Sequence, residues 1–373
     1  MELGACALEG MVMGAHFWRG KRVLITGHTG FKGSWLSMWL QLLGSEVVGV
    51  SLEDPPTEPS LFDVAGIGRG MVSRVGDVRN IEDLKVPFEV YRPEIVFHMA
   101  AQPLVRYSYL NPVETYATNV MGTVNLLESI RRQGGVRVVI NITSDKCYEN
   151  KESLWGYREY DRMGGHDPYS SSKGCSELVT SAYRSAFFNH ALSDGDKPAL
   201  ASARAGNVIG GGDWGTDRLI PDVVRALGEK KNVVVRSPAS IRPWQYVLEP
   251  LSGYLLLAQK LWDEGAVYAQ GWNFGPKQED ERSVGWLVQT FVEKWGEGLS
   301  WVISTGGCQL HEAAYLKLDC SKAKTMLGWR PRWGLEQALD ATVDWYRAYL
   351  AGKDMHEITI AQIDAYTSSQ EER

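Results

Sequence analysis

Residues 21–40 read Lys21-Arg-Val-Leu-Ile-Thr-Gly-His-Thr-Gly-Phe-Lys-Gly-Ser-Trp-Leu-Ser-Met-Trp-Leu40. The run Val23 to Thr26 is a short strand pattern that enters a turn with glycines at 27, 30 and 33. The turn opens into a helical pattern in which Trp35, Leu36, Trp39, Leu40 and Leu43 share one face, with Gly44 as C-cap. Strand, glycine turn and helix in this order form a phosphate-binding unit. Gly27 permits the tight turn, Gly30 lets the backbone approach a pyrophosphate, and Gly33 lets helix and strand pack closely. The helix start presents free N–H groups and a positive dipole end. Thr29, Phe31 and Lys32 lie on the same turn and complete the candidate cofactor cradle. The Gly-x-x-Gly-x-x-Gly spacing differs from Gly-x-Gly-x-x-Gly and lacks the Gly-Lys-Ser/Thr ending of a triphosphate loop. In a chain with 39 glycines, a ligand-free turn is the competing reading, and the rest of the chain decides between them.

Outward from the turn, strands and helices alternate. Val47 to Val50 is a second strand, and Ser51 stands where an acidic residue commonly takes the ribose hydroxyls, with Glu53 and Asp54 slightly later. No arginine replaces the acid, so NAD and NADP are not separated at this position. Met71 to Asp77 is a third strand; Asp77, with Val78 beside it, is placed to hold an adenine edge or to cap the helix from Asn80. Glu94 to Ala101 is a fourth strand running into the small residues Ala100 and Ala101, with Gln102 next. A helix over 112–133 carries Asn119, and Val136 to Ile142 is a fifth strand that runs into Thr143-Ser144-Asp145-Lys146. Five such alternations predict a Rossmann-type doubly wound parallel sheet in an α/β protein, with ligands beyond the carboxyl ends of its strands. The glycine turn, His98–Ala101 and Ser144–Lys146 all fall at such ends, which favours a ligand.

A helix from Asp167 to Phe188 and a sixth strand, Ala199 to Arg204, follow. Beyond about residue 200 the rhythm loosens into a loop at 207–214, a helix at 219–227, a short strand at 232–236 and a leucine-rich helix at 249–263, and the tail has no sheet rhythm. The expected organisation is an extension over residues 1–17 outside the fold, a dinucleotide-binding Rossmann domain over 18–200, and a smaller mixed α/β substrate domain over 201–373 that shares strands with the first.

Composition narrows the function classes. A net charge of −6 argues against a general nucleic-acid binder and means that an anionic ligand is met by local arginines and helix N-termini. Cysteines at 6, 147, 175, 308 and 320 form no close pair and no metal spacing. They point to a reducing compartment, the cytoplasm, without zinc or disulfides. No apolar run reaches the ~18 residues of a membrane span, and the first twenty residues lack a basic n-region.

Tyr169 and Lys173 lie one helical turn apart and share a face. A tyrosine hydroxyl, with an ordinary pKa near 10, becomes a base at neutral pH only when a cation stabilises its phenolate. Lys173 and an oxidised nicotinamide are such cations, and Ser144 is placed to orient a substrate hydroxyl.

These features make residues from about 20 to 340 resemble the extended short-chain dehydrogenase/reductase superfamily. Thr143-Ser-Asp-Lys-Cys-Tyr148, Pro168-Tyr-Ser-Ser-Ser-Lys173, Arg204-Ala-Gly-Asn-Val-Ile-Gly-Gly-Gly-Asp213 and Arg242-Pro-Trp-Gln-Tyr-Val247 resemble the nucleotide-sugar 4,6-dehydratases, and within them the group acting on CDP-glucose. The resemblance implies a resident NAD and a nucleotide-sugar substrate that is oxidised at carbon 4, loses water across carbons 5 and 6, and regains its hydride at carbon 6. It implies Tyr169, Lys173 and Ser144 as the oxidising set and Asp145 as the acid for the departing hydroxyl. Lys146, where dTDP-glucose members typically carry glutamate, would be the carbon-5 base or a cation beside the enolate. Arg218 and Arg242 would meet the diphosphate, Asn207 the sugar nucleotide and, more weakly, Asn273. A homodimer packed through the helices near 112–133 and 168–188, or a dimer of dimers, is implied too. A 4-epimerase or reductase would share Tyr169, Lys173 and the glycine turn without needing Asp145-Lys146. A silent NAD-sensing scaffold is opposed by the intact Ser144, Tyr169 and Lys173.

Overall fold

The computed structural model describes residues 15–189, 197–296, 298, 300–304 and 315–369. Seven parallel strands form its centre: β1 (Arg22–Thr26), β2 (Glu46–Ser51), β3 (Val72–Val75), β4 (Ile95–His98), β5 (Val138–Ile142), β6 (Ala199–Ala205) and β7 (Gly271–Phe274). Their spatial order is β7-β6-β5-β4-β1-β2-β3. The chain winds outward one way through β2 and β3 and then the other way through β4 to β7. The turning point lies between β1 and β4, and a crevice opens beyond their carboxyl ends there.

The local chemistry explains these strands. Strands β4, β5 and β6 are buried along their whole length and read as near-continuous apolar or small-residue runs, as strands covered on both faces do. Successive side chains alternate across the sheet. Val23 and Ile25 of β1 join the larger core, while Leu24 joins a second core with Val48, Val96, Val139 and Leu200 on the other face. Edge strand β3 is exposed throughout.

Three differences from the sequence expectations have physical causes. The predicted 112–133 helix forms as Pro112–Tyr116 and Gly122–Gln133 joined by a π-helical turn, Ala117–Met121, which carries Asn119. Strand β7 has no counterpart in the sequence reading, because Gly271-Trp-Asn-Phe274 is too short to show a period. The N-terminal boundary also moves: a short helix spans Ala15–Trp18, Trp18 is fully buried, and the Phe17 ring packs edge-on against Trp18 and Trp262. Phe17 therefore belongs to the packed protein.

Beyond β6, short strand pairs form between Val208–Ile209 and Gln245–Tyr246, Ile241–Pro243 and Glu281–Ser283, and Val233–Val235 and Trp301–Ile303. The loop after Val208–Ile209 is held from two sides. The Trp35 indole donates to the Gly211 carbonyl at 3.0 Å, and a Cβ on Gly211 would lie 2.0 Å from Trp345 on the helix Leu335–Leu350. Gly211→Ala is therefore expected to lower stability by about 1–3 kcal/mol through overpacking. Urea unfolding reads this, and an unchanged midpoint would contradict the packing described.

Candidate active site

A cavity of about 1250 Å³ opens at the carboxyl ends of β1, β4, β5 and β6, more than one small ligand needs. One side is formed by Gly27, Thr29, Gly30, Phe31, Lys32 and Gly33, together with Asp77, Val78 and Ala100 to Gln102. The glycines are sterically required. A Cβ on Gly27, whose φ is +76°, would sit 2.7 Å from the Ala100 nitrogen, and one on Gly33 would sit 2.1 Å from the Gly27 carbonyl oxygen. The helix Phe31–Leu42 starts at Gly30 without a side-chain cap, so its first N–H groups face the cavity. This cradle fits the pyrophosphate of a dinucleotide.

The ribose end is built differently from the common acidic pattern. His28 is fully buried, with Nδ1 2.9 Å from Ser51 Oγ and Nε2 2.7 Å from Ser73 Oγ. Gly49 makes room for that ring, since a Cβ there would lie 2.2 Å from it. Ser51 also accepts from the Thr29 N–H at 3.3 Å. Ser51 is thus engaged in holding the turn. Asp77 lines the cavity, but its carboxylate is gripped by Arg79 Nε at 2.7 and 3.0 Å. Asn80, and not Asp77, caps the following short helix. Asn119 is buried behind the cavity wall: its Oδ1 accepts from the Gln102 N–H at 2.9 Å, and its Nδ2 donates to the Gln102 carbonyl and to Ser172. Asn119 therefore holds the wall residue Gln102.

On the opposite side, β5 delivers Ser144, Asp145 and Lys146 on a single 3₁₀ turn, and the helix Pro168–Ala186 delivers Tyr169 and Lys173. Ser144 Oγ donates to Asp145 Oδ1 at 2.8 Å and accepts from the Lys146 N–H at 3.2 Å. Asp145 Oδ2 is buried with no hydrogen-bond partner, an acceptor left over in a site that faces ligand space. Burial pushes the Asp145 carboxyl above its usual range, against the pull of the Lys146 charge. The Lys146 ammonium lies 5.9 Å from the Tyr169 ring centre. Lys173 Nζ donates to the Ile142 carbonyl at 3.4 Å. Burial raises the Tyr169 hydroxyl to about 12, opposed by the adjacent Ser144 hydroxyl. Burial also lowers Lys173 to about 8 and Lys32 to about 7, the latter helped by the charges of Lys173 and Arg218. Low-dielectric surroundings thus drive all of these groups toward neutrality. A carboxyl raised by burial is one that acid–base chemistry can use as a proton donor.

Among the substrate candidates, Asn207, Arg218 and Arg242 line the cavity. Arg218 Nη1 is held by both carboxylate oxygens of Asp213 at 3.0 Å, and Arg242 Nη1 donates to the Ile241 carbonyl at 2.9 Å. Asn273 is a correction. It is fully buried in β7, where its side chain accepts from Tyr148 at 2.7 Å and donates to the Tyr157 and Asp319 carbonyls at 2.8 and 3.1 Å. Every polar atom of that side chain is used internally, away from the substrate space. Three arginines, Arg106, Arg225 and Arg236, line the cavity without a sequence signal, because they come from three separate elements. A fourth unforeseen group, Glu177, did have one, since it follows Lys173 at helical spacing. Among the described residues no helix is long and apolar enough to cross a membrane, and no cluster of three or more His, Cys, Asp or Glu could hold a metal.

The sheet order, glycine cradle and Tyr169–Lys173 pair define a nucleotide-binding fold carrying an oxidoreductase-type site. The chain belongs to the GDP-mannose 4,6 dehydratase family, whose model matches residues 24–342. It is 55% identical over 354 residues to the CDP-glucose 4,6-dehydratase of Salmonella typhimurium, covering 95% of this chain and 98% of that one. Among solved structures, MoeE5 in complex with UDP-glucose and NAD is 25% identical with a TM-score of 0.72, over 88% of this chain and 99% of that one. DesIV, a dTDP-glucose 4,6-dehydratase from Streptomyces venezuelae with NAD and TYD bound, shares the fold at a TM-score of 0.72 and 22% identity, over 89% and 99%.

Two histidines give the site a pH signature. Burial lowers His28 to about 4 and His98 to about 3. Both are bases whose folded pKa lies below the ordinary 6.5, so the folded protein binds fewer protons than the unfolded chain between those values. Stability is therefore fully present above pH 6.5 and is lost as the pH falls through that window. His28→Gln and His98→Gln should each shrink the difference between denaturant melts at pH 7 and pH 5 by about 2 kcal/mol. An unchanged difference in both variants would show that these rings are not held neutral.

Proposed function

We propose that this chain is an NAD-dependent hydro-lyase that converts CDP-glucose into CDP-4-dehydro-6-deoxyglucose. The observation that carries the reading is the single turn Ser144-Asp145-Lys146 facing Tyr169 and Lys173 across one cavity, which unites an oxidising set with an acid–base pair. The 55% identity to a CDP-glucose 4,6-dehydratase supports the substrate, and the NAD complex of MoeE5 supports the cofactor. Gly27, Thr29, Gly30, Phe31, Lys32 and Gly33 would hold the pyrophosphate portion, with Asp77 and Val78 near the adenine and Ala100 to Gln102 along the other wall. When bound, NAD supplies the hydride acceptor for carbon 4 and the hydride donor for carbon 6.

The side chains do the rest. Tyr169 withdraws the proton of the 4-hydroxyl, with Ser144 orienting that hydroxyl, the Arg218 charge favouring the phenolate and the Lys173 ammonium one helical turn away acting in the same sense. Ketone formation acidifies the carbon-5 proton. Asp145, whose carboxyl burial pushes upward, gives its proton to the departing 6-hydroxyl. Lys146 serves carbon 5, as a neutral base or as the cation beside the enolate. Arg218 and Arg242 meet the diphosphate and Asn207 the sugar nucleotide. An epimerase has no elimination step and no use for the Asp145–Lys146 pair, so the dehydratase reading is favoured.

The test is incubation with CDP-, dTDP-, UDP- and GDP-sugars, followed by the near-ultraviolet absorbance that a 4-keto product develops in alkali. CDP-glucose should give product; turnover of another donor with none from CDP-glucose would sink the substrate assignment. In the same assay Tyr169→Phe should lose about 10²–10⁴-fold in rate, while Lys146→Ala should still oxidise carbon 4 but stall before water loss. Normal full turnover in Lys146→Ala would remove that residue from the mechanism.

The reading includes a homodimer packed through the helices near 112–133 and 168–188, or a dimer of dimers. Support comes from apolar side chains exposed there, Val113, Met121 and Leu178, beside Leu110. Sedimentation should report at least twice the monomer mass, and a lone monomer at micromolar concentration would exclude it. A cytoplasmic location fits the free thiols Cys147, Cys175 and Cys320.

A further inference from the structure

Beneath the reacting groups lies a buried ion pair that none of the steps above uses. Glu177 stands one helical turn beyond Lys173, and Arg204 comes from the end of β6; they are 4% and 5% exposed. Arg204 Nε and Nη2 grip the carboxylate at 2.9 and 2.7 Å. Ser202 Oγ donates to the same carboxylate at 2.7 Å, and Thr143 Oγ1 donates to its other oxygen. Burial alone would raise the Glu177 carboxyl, but the Arg204 charge and these four donors hold it below its usual range. Arg204 Nη1 then donates to the Tyr148 hydroxyl at 2.8 Å and to the Glu159 carbonyl at 3.0 Å.

The pair therefore touches Thr143, just before the Ser144–Cys147 segment, and Tyr148, just after it. A buried pair adds little net stability compared with apolar side chains of the same volume. Placement and charge are what it offers here. We propose that Glu177 and Arg204 form the positioning element of the active site, clamping both ends of the turn that carries Ser144, Asp145 and Lys146 and supplying the negative charge that keeps Lys173 an ammonium.

The surroundings of Lys173 single out Glu177 for the second task. Tyr169 shares its helix, Cys147 faces it from the turn, Lys32 from the glycine helix and His98 from β4. Burial keeps the Cys147 thiol, the Tyr169 hydroxyl and the His98 ring neutral near pH 7, and Lys32 can only repel. Among these described residues Glu177 alone is an anion, and its charge opposes the burial that lowers Lys173. Both halves of the proposal follow from one ion pair, Glu177 holding Thr143 and facing Lys173 while Arg204 holds Tyr148.

The proposal rests on the reading of Tyr169 and Lys173 as the oxidising pair, and wild-type turnover of CDP-glucose is the control for that reading. Activity that needs the Lys173 ammonium declines as the pH rises through the Lys173 pKa. Glu177→Gln removes the charge at nearly constant shape, so the alkaline limb of kcat should move acidward by about one pH unit, an approximately tenfold loss on that limb. KM for CDP-glucose and Kd for NAD, the latter from tryptophan fluorescence, should stay within about twofold, because neither ligand site is touched. A merely structural Glu177 would lower Tm and leave the pH profile of the folded variant in place, and that result overturns the proposal. Tyr148→Phe keeps every charge but releases the far end of the turn; kcat should fall at all pH values with the limb unmoved. If Glu177→Gln does not fold, Tyr148→Phe decides, and wild-type kcat in it overturns the proposal. Wild-type protein that turns over no nucleotide sugar would instead sink the functional reading.

Discussion

Gly27 lies so close to Ala100 that no Cβ fits between the end of β1 and the end of β4. Every other arrangement depends on it. The same junction carries the Thr26 hydroxyl 2.7 Å from His98 Nδ1 and accepting from the Met99 and Ala100 N–H groups at 3.2 and 3.3 Å. These contacts fix how two neighbouring strands diverge, and the divergence creates the crevice. The helix after the glycine turn then aims its uncapped N–H groups into that crevice, while β5 and β6 bring the reacting turn and its supports to the opposite wall.

Electrostatically, the groups around Tyr169 follow one rule and the ion pair behind them another. Burial drives the working groups toward their neutral forms: Asp145 and Tyr169 upward, Lys32 and Lys173 downward. Such groups exchange protons readily because neither form is locked in place. In the Glu177–Arg204 pair, charge is fixed by a bidentate fork and two hydroxyl donors. A mobile set of protons above a fixed pair of charges is a division of labour between transfer and orientation.

Much of this was legible in the sequence, for identifiable reasons. Strands buried on both faces are written as apolar runs, and a cofactor cradle must use glycine wherever a side chain would collide, so β1, β2, β4 to β6 and the turn at 27–33 stand out. Tyr169 and Lys173 are visible because one helix face is encoded at fixed spacing. What escaped is what depends on contacts between distant segments. Ser51 looks like a displaced ribose acceptor until His28 is seen filling the space left by Gly49. Asn273 enters as a substrate amide through family resemblance alone, whereas its partners come from residues 148, 157 and 319. Strand β7 is four residues long and has no period to read.

Asn273 also bears on how the protein comes into being. Its side chain ties together the end of the reacting turn, the loop at Tyr157 and the segment at Asp319, and its own backbone N–H donates to Glu159. During synthesis, strands β1 to β6 can pair as soon as residue 205 has emerged, and the glycine cradle with them. The Asn273 brace on Tyr148 has to wait for β7 and then for residue 319, more than a hundred residues later. A nascent chain thus completes the glycine turn and the Arg204 contact to Tyr148 before Asn273 can brace the same tyrosine. No amino-terminal fragment that stops short of β7 contains the Ser144–Lys146 turn with both of its braces.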